Sequence, residues 1–425
     1  MSVRSWRDLG QEPMRRCLER LSLGLVFAGL SAPALSANAA LQDYFSLACQ
    51  AATGALATRC SATPGGLGGL SGDSQSSLNP SQNMSHTNSS ASLAEVRSSD
   101  ARERAAVLRE GEAPATNTSQ TLQLGPFNLL LNARATWFAR DRNPAVDRER
   151  SLDGDSWAVE LGVDRRVSER LNLGALGVFE SVRYDFDADR SSGTLVPAAH
   201  AGNAQTDSRS LTLFAVFNAT ERSYVDAALG YGRQQHEFHR NPVFQNSLQQ
   251  GQFSARVVGN PHSEVYWIAV DGGLDFASGA TSFGPFTGVT YTHSKIAAYA
   301  EHDLNDSGLN MSFAPCLRIS ALAHAGVRAD RAFSTAHGVF VPQLRAEYLH
   351  EFRTQPLSQT SHYVLDSSGA GITVTGDRHK ADRINLSAGL SAIFPHGSTA
   401  FLNLDSLVSG DLDRTRVALG VRIEL

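Results

Sequence analysis

The chain has 425 residues, 42% of them hydrophobic, and a formal net charge of −5. This length accommodates two or three soluble domains, or one large barrel with additional segments. The charge is mild and no basic cluster is interleaved with aromatic residues, so nothing points to nucleic-acid binding. A helical membrane protein would contain runs of about 18 or more apolar residues, and only residues 21–41 come close to one.

Residues 1–39 have the organisation of a secretory signal peptide. Arginines up to Arg20 form its positive end, residues 21–30 form its apolar stretch, and Ala37-Asn38-Ala39 is a small-x-small cleavage site. The apolar stretch is too short to be a membrane-spanning helix. A start at Met1 would place two acidic residues, Asp8 and Glu12, in the signal peptide, where acidic residues are unusual. A start at Met14 would exclude both, and either methionine remains a candidate start.

Residues 40–92 form a short segment rich in Ser, Gly, Ala and Asn. Such a composition buries little apolar surface, so we expect no packed core over most of it. Its front, residues 41–60, is expected to form a small helical element closed by a disulfide between Cys49 and Cys60, because both thiols would enter an oxidising periplasm. Two unpaired thiols are the alternative. No Cys or His pair nearby has zinc-ligand spacing, so neither a metal nor a cofactor is expected.

Residues 93–123 are predicted to be a helix followed by a linker. Ala, Leu, Arg and Glu dominate residues 93–110, and these residues favour helix, whereas Pro114 lies in the linker. The apolar residues of the helix form only an imperfect stripe, and charged residues cover the rest. A helix of this kind suits a wet, charged channel better than a soluble core. A solvated linker helix is the alternative.

From about residue 124 to the end, the pattern changes to a period of two. In the segment SWAVELGVD, Trp157, Val159, Leu161 and Val163 lie on one face and polar or small residues lie on the other. This alternation predicts half-buried strands. Many of the segments reach the 9–11 residues that a membrane-spanning strand needs. Twelve such segments occur, centred near Ala133, Glu160, Gly177, Leu213, Leu229, Val270, Thr287, Ala323, Arg345, Gly389, Leu402 and Leu419.

The connections between these segments alternate in length. The even-numbered ones are short and the odd-numbered ones are mostly long, with the final connection, SGDL, as an exception. Outer-membrane barrels place tight turns at one end and long loops at the other. The sequence therefore predicts an all-β fold, a twelve-stranded antiparallel transmembrane barrel over residues 124–425 with both barrel ends of the chain periplasmic.

The polar faces of these strands would line the barrel interior. Both signs of charge occur there, so we expect a hydrated lumen of mixed charge and no single ionic selectivity. The residues predicted to face inward are Arg134, Glu160, Asp164, Asp226, Asp271, Arg318, Arg345, Glu347, Arg416 and Arg422.

Residues 124–425 resemble the C-terminal translocator domain of autotransporters, the type V secretion family. The resemblance rests on LDGDSWAVELGVDRRVSERLNLGALGVFES from Leu152, on YVDAALGYGR from Tyr224, and on the ending RTRVALGVRIEL from Arg414. It implies a twelve-stranded barrel in the outer membrane of a Gram-negative bacterium, with the helix of residues 93–110 threaded through the pore. It also implies outer-membrane lipid, the barrel-assembly machinery and periplasmic chaperones as partners, and a monomeric barrel.

Three features depart from the family pattern. Family chains usually end on Phe or Trp, which the assembly machinery reads, whereas this one ends on Leu425. The segment before the helix is far shorter than the usual β-helical passenger. Some family members cut their passenger between two Asn residues inside the pore, but no Asn occurs between Ser92 and Thr116. We therefore expect the short segment to stay attached.

Several motifs are weak candidates for other chemistry. Gly72-Asp73-Ser74 and Gly154-Asp155-Ser156 match only the core of an esterase nucleophile block. A pair of histidines, His236 and His239, is expected in a solvated surface loop. The loop DLNDSG from Asp303 resembles the front of a calcium loop but lacks the bidentate Glu. No catalytic residue is assigned.

The leading hypothesis is an outer-membrane barrel, not an enzyme, that exports or displays residues 40–92, which would then reach the cell surface. The alternative is a narrow pore, or a barrel whose loops act as an adhesin or an enzyme.

Overall fold

The computed structural model describes residues 35–63, 68–84, 95–97, 122–124, 127–142, 147–188, 195–247, 251–394, 399–410 and 412–422. Twelve long strands dominate it. They are β1 Phe127–Arg140, β2 Leu152–Ser168, β3 Leu171–Phe186, β4 Gly202–Asn218, β5 Ser223–Arg240, β6 His262–Leu274, β7 Thr281–Ile296, β8 Cys316–Arg331, β9 Gly338–Glu351, β10 Asp382–Ile393, β11 Thr399–Val408 and β12 Asp413–Arg422.

The twelve strands form a closed antiparallel barrel. Each strand pairs with the next along the chain, and β12 returns to pair with β1, where Asn132 lies opposite Gly420. Each of the twelve predicted strand centres lies within one of these strands, so the predicted fold class is confirmed. Closure leaves none of the twelve described strands at an open sheet edge, which is a requirement for backbone surrounded by lipid.

The two faces of the strands differ in polarity. In β2, the side chains of Trp157 and Leu161 are 55% and 54% exposed on the outside. Their neighbours Glu160 and Asp164 are buried in the interior. The outer face is apolar because it meets hydrocarbon, and the inner face is polar because it lines the lumen.

The lengths of the connections also agree with the prediction. At one end, which we call the turn end, neighbouring strands are joined by tight turns such as residues 169–170 and 219–222. At the other end, the loop end, lie loop 1 (141–151), loop 2 (187–201), loop 3 (241–261), loop 4 (297–315), loop 5 (352–381) and the short loop 6 (409–412).

The long loops carry secondary structure of their own. In loop 3, Val243–Asn246 pairs with Gly251–Ser254. Loops 4 and 5 together form a four-stranded sheet. Its strands are Tyr299–Ala300, Met311–Phe313, Ser358–Tyr363 and Ile372–Thr375. The loop end is therefore a built surface rather than a set of independent loops.

Three short helices precede the barrel: α1 Leu35–Gln50, α2 Gly54–Ser61 and α3 Gly72–Leu78, followed by a 3-10 turn at Pro80–Asn83. Among the described residues, no helix is long and apolar enough to cross a membrane. The predicted leader falls outside the described residues except for its last five, which are the first residues of α1. We call the described residues 35–63 and 68–84 the cap.

The cap corrects one expectation from the sequence. Residues 40–92 were expected to lack a packed core over most of their length, yet Leu78 and Met84, beyond the predicted helical front, are fully buried. By itself the segment can bury little apolar surface, but the loops supply about half of the buried apolar residues of the core that it shares with them. The Ser-rich part also satisfies its own backbone, since the Ser71 hydroxyl accepts a hydrogen bond from the Ser74 amide at the start of α3.

Candidate functional site: the capped lumen

The lumen wall is lined by paired charges. The Arg416 guanidinium donates to Asp405 at 2.9 Å, and Arg345 donates to Glu347 at 3.0 Å. The His324 ring lies 2.7 Å from a carboxylate oxygen of Asp271. Charges inside a protein are tolerated when they are paired and hydrogen-bonded. Both signs occur around the wall, which confirms the predicted mixed-charge lumen.

Nine of the ten side chains predicted to face inward do so. All are buried or half-buried on inner faces of their strands. The tenth, Arg422, has a side chain outside the described residues.

A short piece of chain lies inside the lumen. Residues 95–97 are helical, and they are the part of the predicted pore helix 93–110 that the structure describes. Glu95 accepts a 2.6 Å hydrogen bond from Arg383 at the start of β10 and lies 3.7 Å from Arg414 of β12. Arg97 donates to Glu180 of β3 at 2.5 Å.

These pairs reach different walls of the barrel. Glu95 and Arg97 are two residues apart, so they project from roughly opposite sides of a helix. One side is therefore bound to β10 and β12, and the other to β3. The charge matching predicted for the pore helix is present at these two positions.

Above the lumen, the cap and the loops share one apolar core. Phe45 is fully buried, and its ring meets the edge of the Tyr363 ring of loop 5 with centroids 5.6 Å apart. The Tyr44 ring stacks on the same tyrosine at 5.7 Å. The buried members of this core are Leu41, Tyr44, Phe45, Ala48, Leu56, Cys60 and Leu78 from the cap, and Phe244, Ala255, Leu309, Met311, Phe313 and Tyr363 from loops 3, 4 and 5.

Hydrogen bonds join the cap to the same loops and to loop 1. The amide of Thr53 donates to the Leu365 carbonyl at 2.9 Å, and the amide of Ser367 donates to the Ala51 carbonyl at 3.1 Å. In loop 3, the Ser247 amide donates to the Ala62 carbonyl at 2.7 Å.

Further contacts come from loops 1 and 4. Arg150 of loop 1 donates to the Ser76 carbonyl at 3.3 Å. In loop 4, Gly308 has a φ of +72°, and a Cβ there would clash with the backbone of Leu56. Among the described residues, the cap is thus bound through backbone groups as well as apolar side chains, with contacts to loops 1, 3, 4 and 5.

A disulfide joins the first two helices of the cap. Cys49 in α1 and Cys60 in α2 have their sulfur atoms 1.98 Å apart and their Cα atoms 5.5 Å apart. This is the pairing that the sequence led us to expect. The remaining described cysteine, Cys316, is buried, and its thiol donates to the Ser358 carbonyl at 3.8 Å.

Burial changes the acidity of the tyrosines in this core. Removal from water raises the pKa of Tyr44 to about 12, although a hydrogen bond from the Tyr363 amide partly opposes the shift. Burial also raises the pKa of Tyr363. Both side chains are therefore neutral when the cap is docked at ordinary pH, and they are easier to ionise when exposed.

The structure also places the weaker motifs of the sequence. His236 was expected in a solvated loop, but it lies in β5 with its buried ring between Thr206 and Ser263, at 2.9 and 2.8 Å. His239 is on the outer face of the same strand. Polar residues near the end of β5 were interpreted as a loop, but the strand and its period-two alternation continue through them to Arg240.

The two Gly-Asp-Ser motifs and the calcium-like loop have structural roles here. Ser74 accepts a hydrogen bond from the Gln245 amide at 3.0 Å, and Ser156 donates to Glu180 at 3.2 Å inside the lumen. One Asp303 oxygen accepts from Ser307 and Gly308 at 2.9 and 2.6 Å. No group of three or more metal-binding side chains occurs within the described ranges.

The shared core is what sequence reasoning missed. One signal was present, because Leu41, Tyr44, Phe45 and Ala48 have the i, i+3, i+4, i+7 spacing of an apolar helix face. Such a face requires a partner, and the partner lies about 200 to 320 residues further along the chain.

Comparison with known proteins agrees with this architecture. Residues 134–405, more than half of the chain, match the family model of the autotransporter beta-domain. The translocator domain of the autotransporter NalP from Neisseria meningitidis has a similar fold, with a TM-score of 0.55 and 14% identity over 78% of this chain and 96% of that one.

Two further solved structures are similar. The beta domain of the Bordetella autotransporter BrkA has a TM-score of 0.44 and 15% identity, covering 70% of this chain and 99% of that one. The transport unit of AIDA-I from Escherichia coli has a TM-score of 0.44 and 8% identity, covering 76% and 98%. No curated protein matches. With a closed twelve-stranded barrel and a family match over most of it, this chain belongs to the autotransporter beta-domain family and is an outer-membrane translocator barrel.

Proposed function

We propose that this barrel exports the short segment in front of it and retains that segment, folded and attached, as a cap over the surface end of the pore. The observation that carries the proposal is the core shared by the cap and the loops, centred on Phe45 and Tyr363. In this proposal the segment is displayed at the cell surface and the chain is a monomer and not an enzyme. The barrel-assembly machinery and periplasmic chaperones would deliver it.

The path of the chain supports export through the pore. Long loops of outer-membrane barrels face the cell exterior and tight turns face the periplasm. The cap packs on the long loops, residues 95–97 lie in the lumen, and β1 begins at the turn end. In chain order, the described parts therefore lie first at the loop end, then in the lumen, and then at the turn end where β1 starts.

The ion pairs of residues 95–97 support a second role, closure of the pore. Glu95 and Arg97 bind different parts of the wall, with Arg383 of β10 and Glu180 of β3 as partners at 2.6 and 2.5 Å. Partial dehydration strengthens such interactions relative to those in open water. We therefore expect a closed barrel in the resting state, with the cap above and this segment inside.

The location of the cap can be tested by cysteine labelling on intact cells. Leu47 lies in α1, is 46% exposed and makes no part of the core. Leu47→Cys should react with a membrane-impermeant maleimide on intact cells. Glu221→Cys, in an exposed periplasmic turn, is the matched control and should react only after the outer membrane is permeabilised. If both variants needed permeabilisation, the cap would be periplasmic and the export proposal would fail.

Closure of the pore can be tested separately in planar bilayers. The full-length chain should conduct little, whereas deletion of residues 40–110 should open a channel. The double charge reversal Glu95→Arg, Arg97→Glu keeps the full chain and should increase the time spent open, because each side chain would face a like charge. High conductance of the unmodified chain would favour the alternative of a narrow pore, and equal conductance of all three proteins would exclude the plug.

A further inference from the structure

The outer face of β4 to β7 carries a row of charged residues. Arg209 of β4 lies directly opposite Arg233 of β5 in the strand register. Arg233 in turn lies opposite Glu264 of β6, and Glu264 lies opposite Lys295 of β7. The three cations are exposed on the outside of the barrel. We call Arg209, Arg233 and Lys295 the basic row.

Next to the basic row, toward the turn end, lies a row of aromatic rings. Tyr231, Tyr266 and His293 follow one another in register on the same outer face. The first two rings have centroids 4.9 Å apart. One step further, the outward residues include Leu229 and Ile268, which are 58% and 50% exposed. Aromatic girdles mark the membrane interfaces of such barrels, so the basic row lies at the level of the lipid headgroups.

The direct opposition of Arg209 and Arg233 needs a counter-charge. Like charges directly across an antiparallel pair destabilise the sheet. Glu264 lies beside Arg233, but it also accepts a hydrogen bond from Tyr231 at 3.2 Å. Asp207 shares the outer face of β4 and accepts weakly from Gln205. In the row itself, three cations face the single acid Glu264, so the row is positive, whereas Asp207 and Glu237 lie nearer the loop end.

Acidic residues predominate on the outer faces of other strands, where the exposed Arg183 of β3 lies opposite Asp155. At the same end of the barrel, Asp153 and Asp155 of β2 face outward, as do Asp382 of β10 and Asp413 of β12. The Asp382 side chain is 63% exposed and accepts a hydrogen bond from His350 at 2.7 Å. The positive surface is therefore confined to one side of the barrel, and a headgroup anion would prefer that side.

We propose that the basic row binds the phosphate groups of a phosphorylated glycolipid of the outer leaflet. Arginine recognises phosphate through paired N–H donors, and a phosphate between Arg209 and Arg233 would relieve their repulsion. The aromatic row would contact the sugar level, and the acyl chains would lie along the outward apolar residues of β5 and β6. Because the row lies at the loop end, its lipid belongs to the surface leaflet and not to the periplasmic one.

The test uses the full-length chain in detergent and native mass spectrometry with diphosphoryl lipid A, phosphatidylglycerol and phosphatidylcholine as separate probes. The double variant Arg209→Gln, Arg233→Gln should bind lipid A about tenfold or more weakly. Arg209→Lys, Arg233→Lys keeps the charge but loses the paired N–H donors, so its affinity should lie between those of the unmodified chain and the glutamine variant. Arg183→Gln is the matched control, because this exposed arginine of β3 lies opposite Asp155, and its removal should leave binding unchanged.

Heat-modifiable gel migration checks that each variant is a folded barrel. Loss of lipid A binding in the glutamine variant alone supports the proposal. Equal binding by the glutamine variant and the unmodified chain would overturn it. Equal affinity for phosphatidylglycerol and lipid A would overturn the assignment to the surface glycolipid, because phosphatidylglycerol has one phosphate and no sugar backbone.

Discussion

Replacing Phe45 with Ala should detach the cap while leaving the barrel intact. The Phe45 side chain is fully buried between the cap and loop 5. Truncation of a buried Phe to Ala costs about 3–5 kcal/mol. Since about 1.4 kcal/mol corresponds to a factor of ten, opening of the cap should become about 100-fold to 4,000-fold more frequent.

Hydrogen exchange measures this opening directly. The amide of Tyr363 donates to the Tyr44 hydroxyl at 2.8 Å, so its protection reports docking. Its exchange should accelerate by the factor above in Phe45→Ala, whereas strands such as β4 should keep their protection. Leu47→Ala, on the exposed side of the same helix, is the control and should change stability by about 0.5 kcal/mol or less. If the two variants exchanged alike, the shared core would not hold the cap.

Three further outcomes follow from the geometry. Leu161→Arg should destabilise the barrel by about 2–4 kcal/mol in a lipid-refolding titration, because it places a charge in hydrocarbon. Glu160→Arg should cost less, because that side chain faces the lumen. A larger loss of stability in Glu160→Arg than in Leu161→Arg would contradict the assigned faces of β2. Folding raises the pKa of Tyr44 from about 10 to about 12. The stabilisation of docking by neutral Tyr44 is therefore complete below pH 10 and is lost as pH rises toward 12. The difference in tyrosinate absorbance between the unmodified chain and Tyr44→Phe should titrate near pH 12. In unreduced protein, Cys49 and Cys60 should resist thiol labelling, and reduction should destabilise the cap by up to about 3 kcal/mol, whereas labelling of both would exclude the disulfide.

The barrel was predictable from the sequence because its environment acts on every second residue. Trp157 and Leu161 face lipid while Glu160 between them faces the hydrated lumen. The alternation of apolar and polar residues in a single strand therefore already indicates both environments. Twelve repetitions of that pattern, with turns and loops alternating, left few other folds. The disulfide was also accessible, since Cys49 and Cys60 are close in sequence.

The cap was not predictable to the same extent. Phe45 packs on Tyr363, and Leu56 packs near Met311, so each contact joins residues hundreds of positions apart. Local composition reports only what a segment can bury by itself. The sequence predicted that the helix would form ion pairs with the lumen wall, because both carry charges of both signs. It could not predict that Glu95 would pair with Arg383 and Arg414, because that depends on where the helix lies in the lumen.

The division of the apolar core between the cap and the loops bears on the direction of transport. If the segment is exported as proposed, Phe45 and Leu78 have no loop residues to pack against while they are still in the periplasm. Loop residues such as Met311 and Tyr363 become available only at the far side. A cap residue that packs against them buries apolar surface, and movement back into the lumen would expose that surface to water again. Under the proposed export, packing against the loops would therefore favour outward movement of the segment over its return.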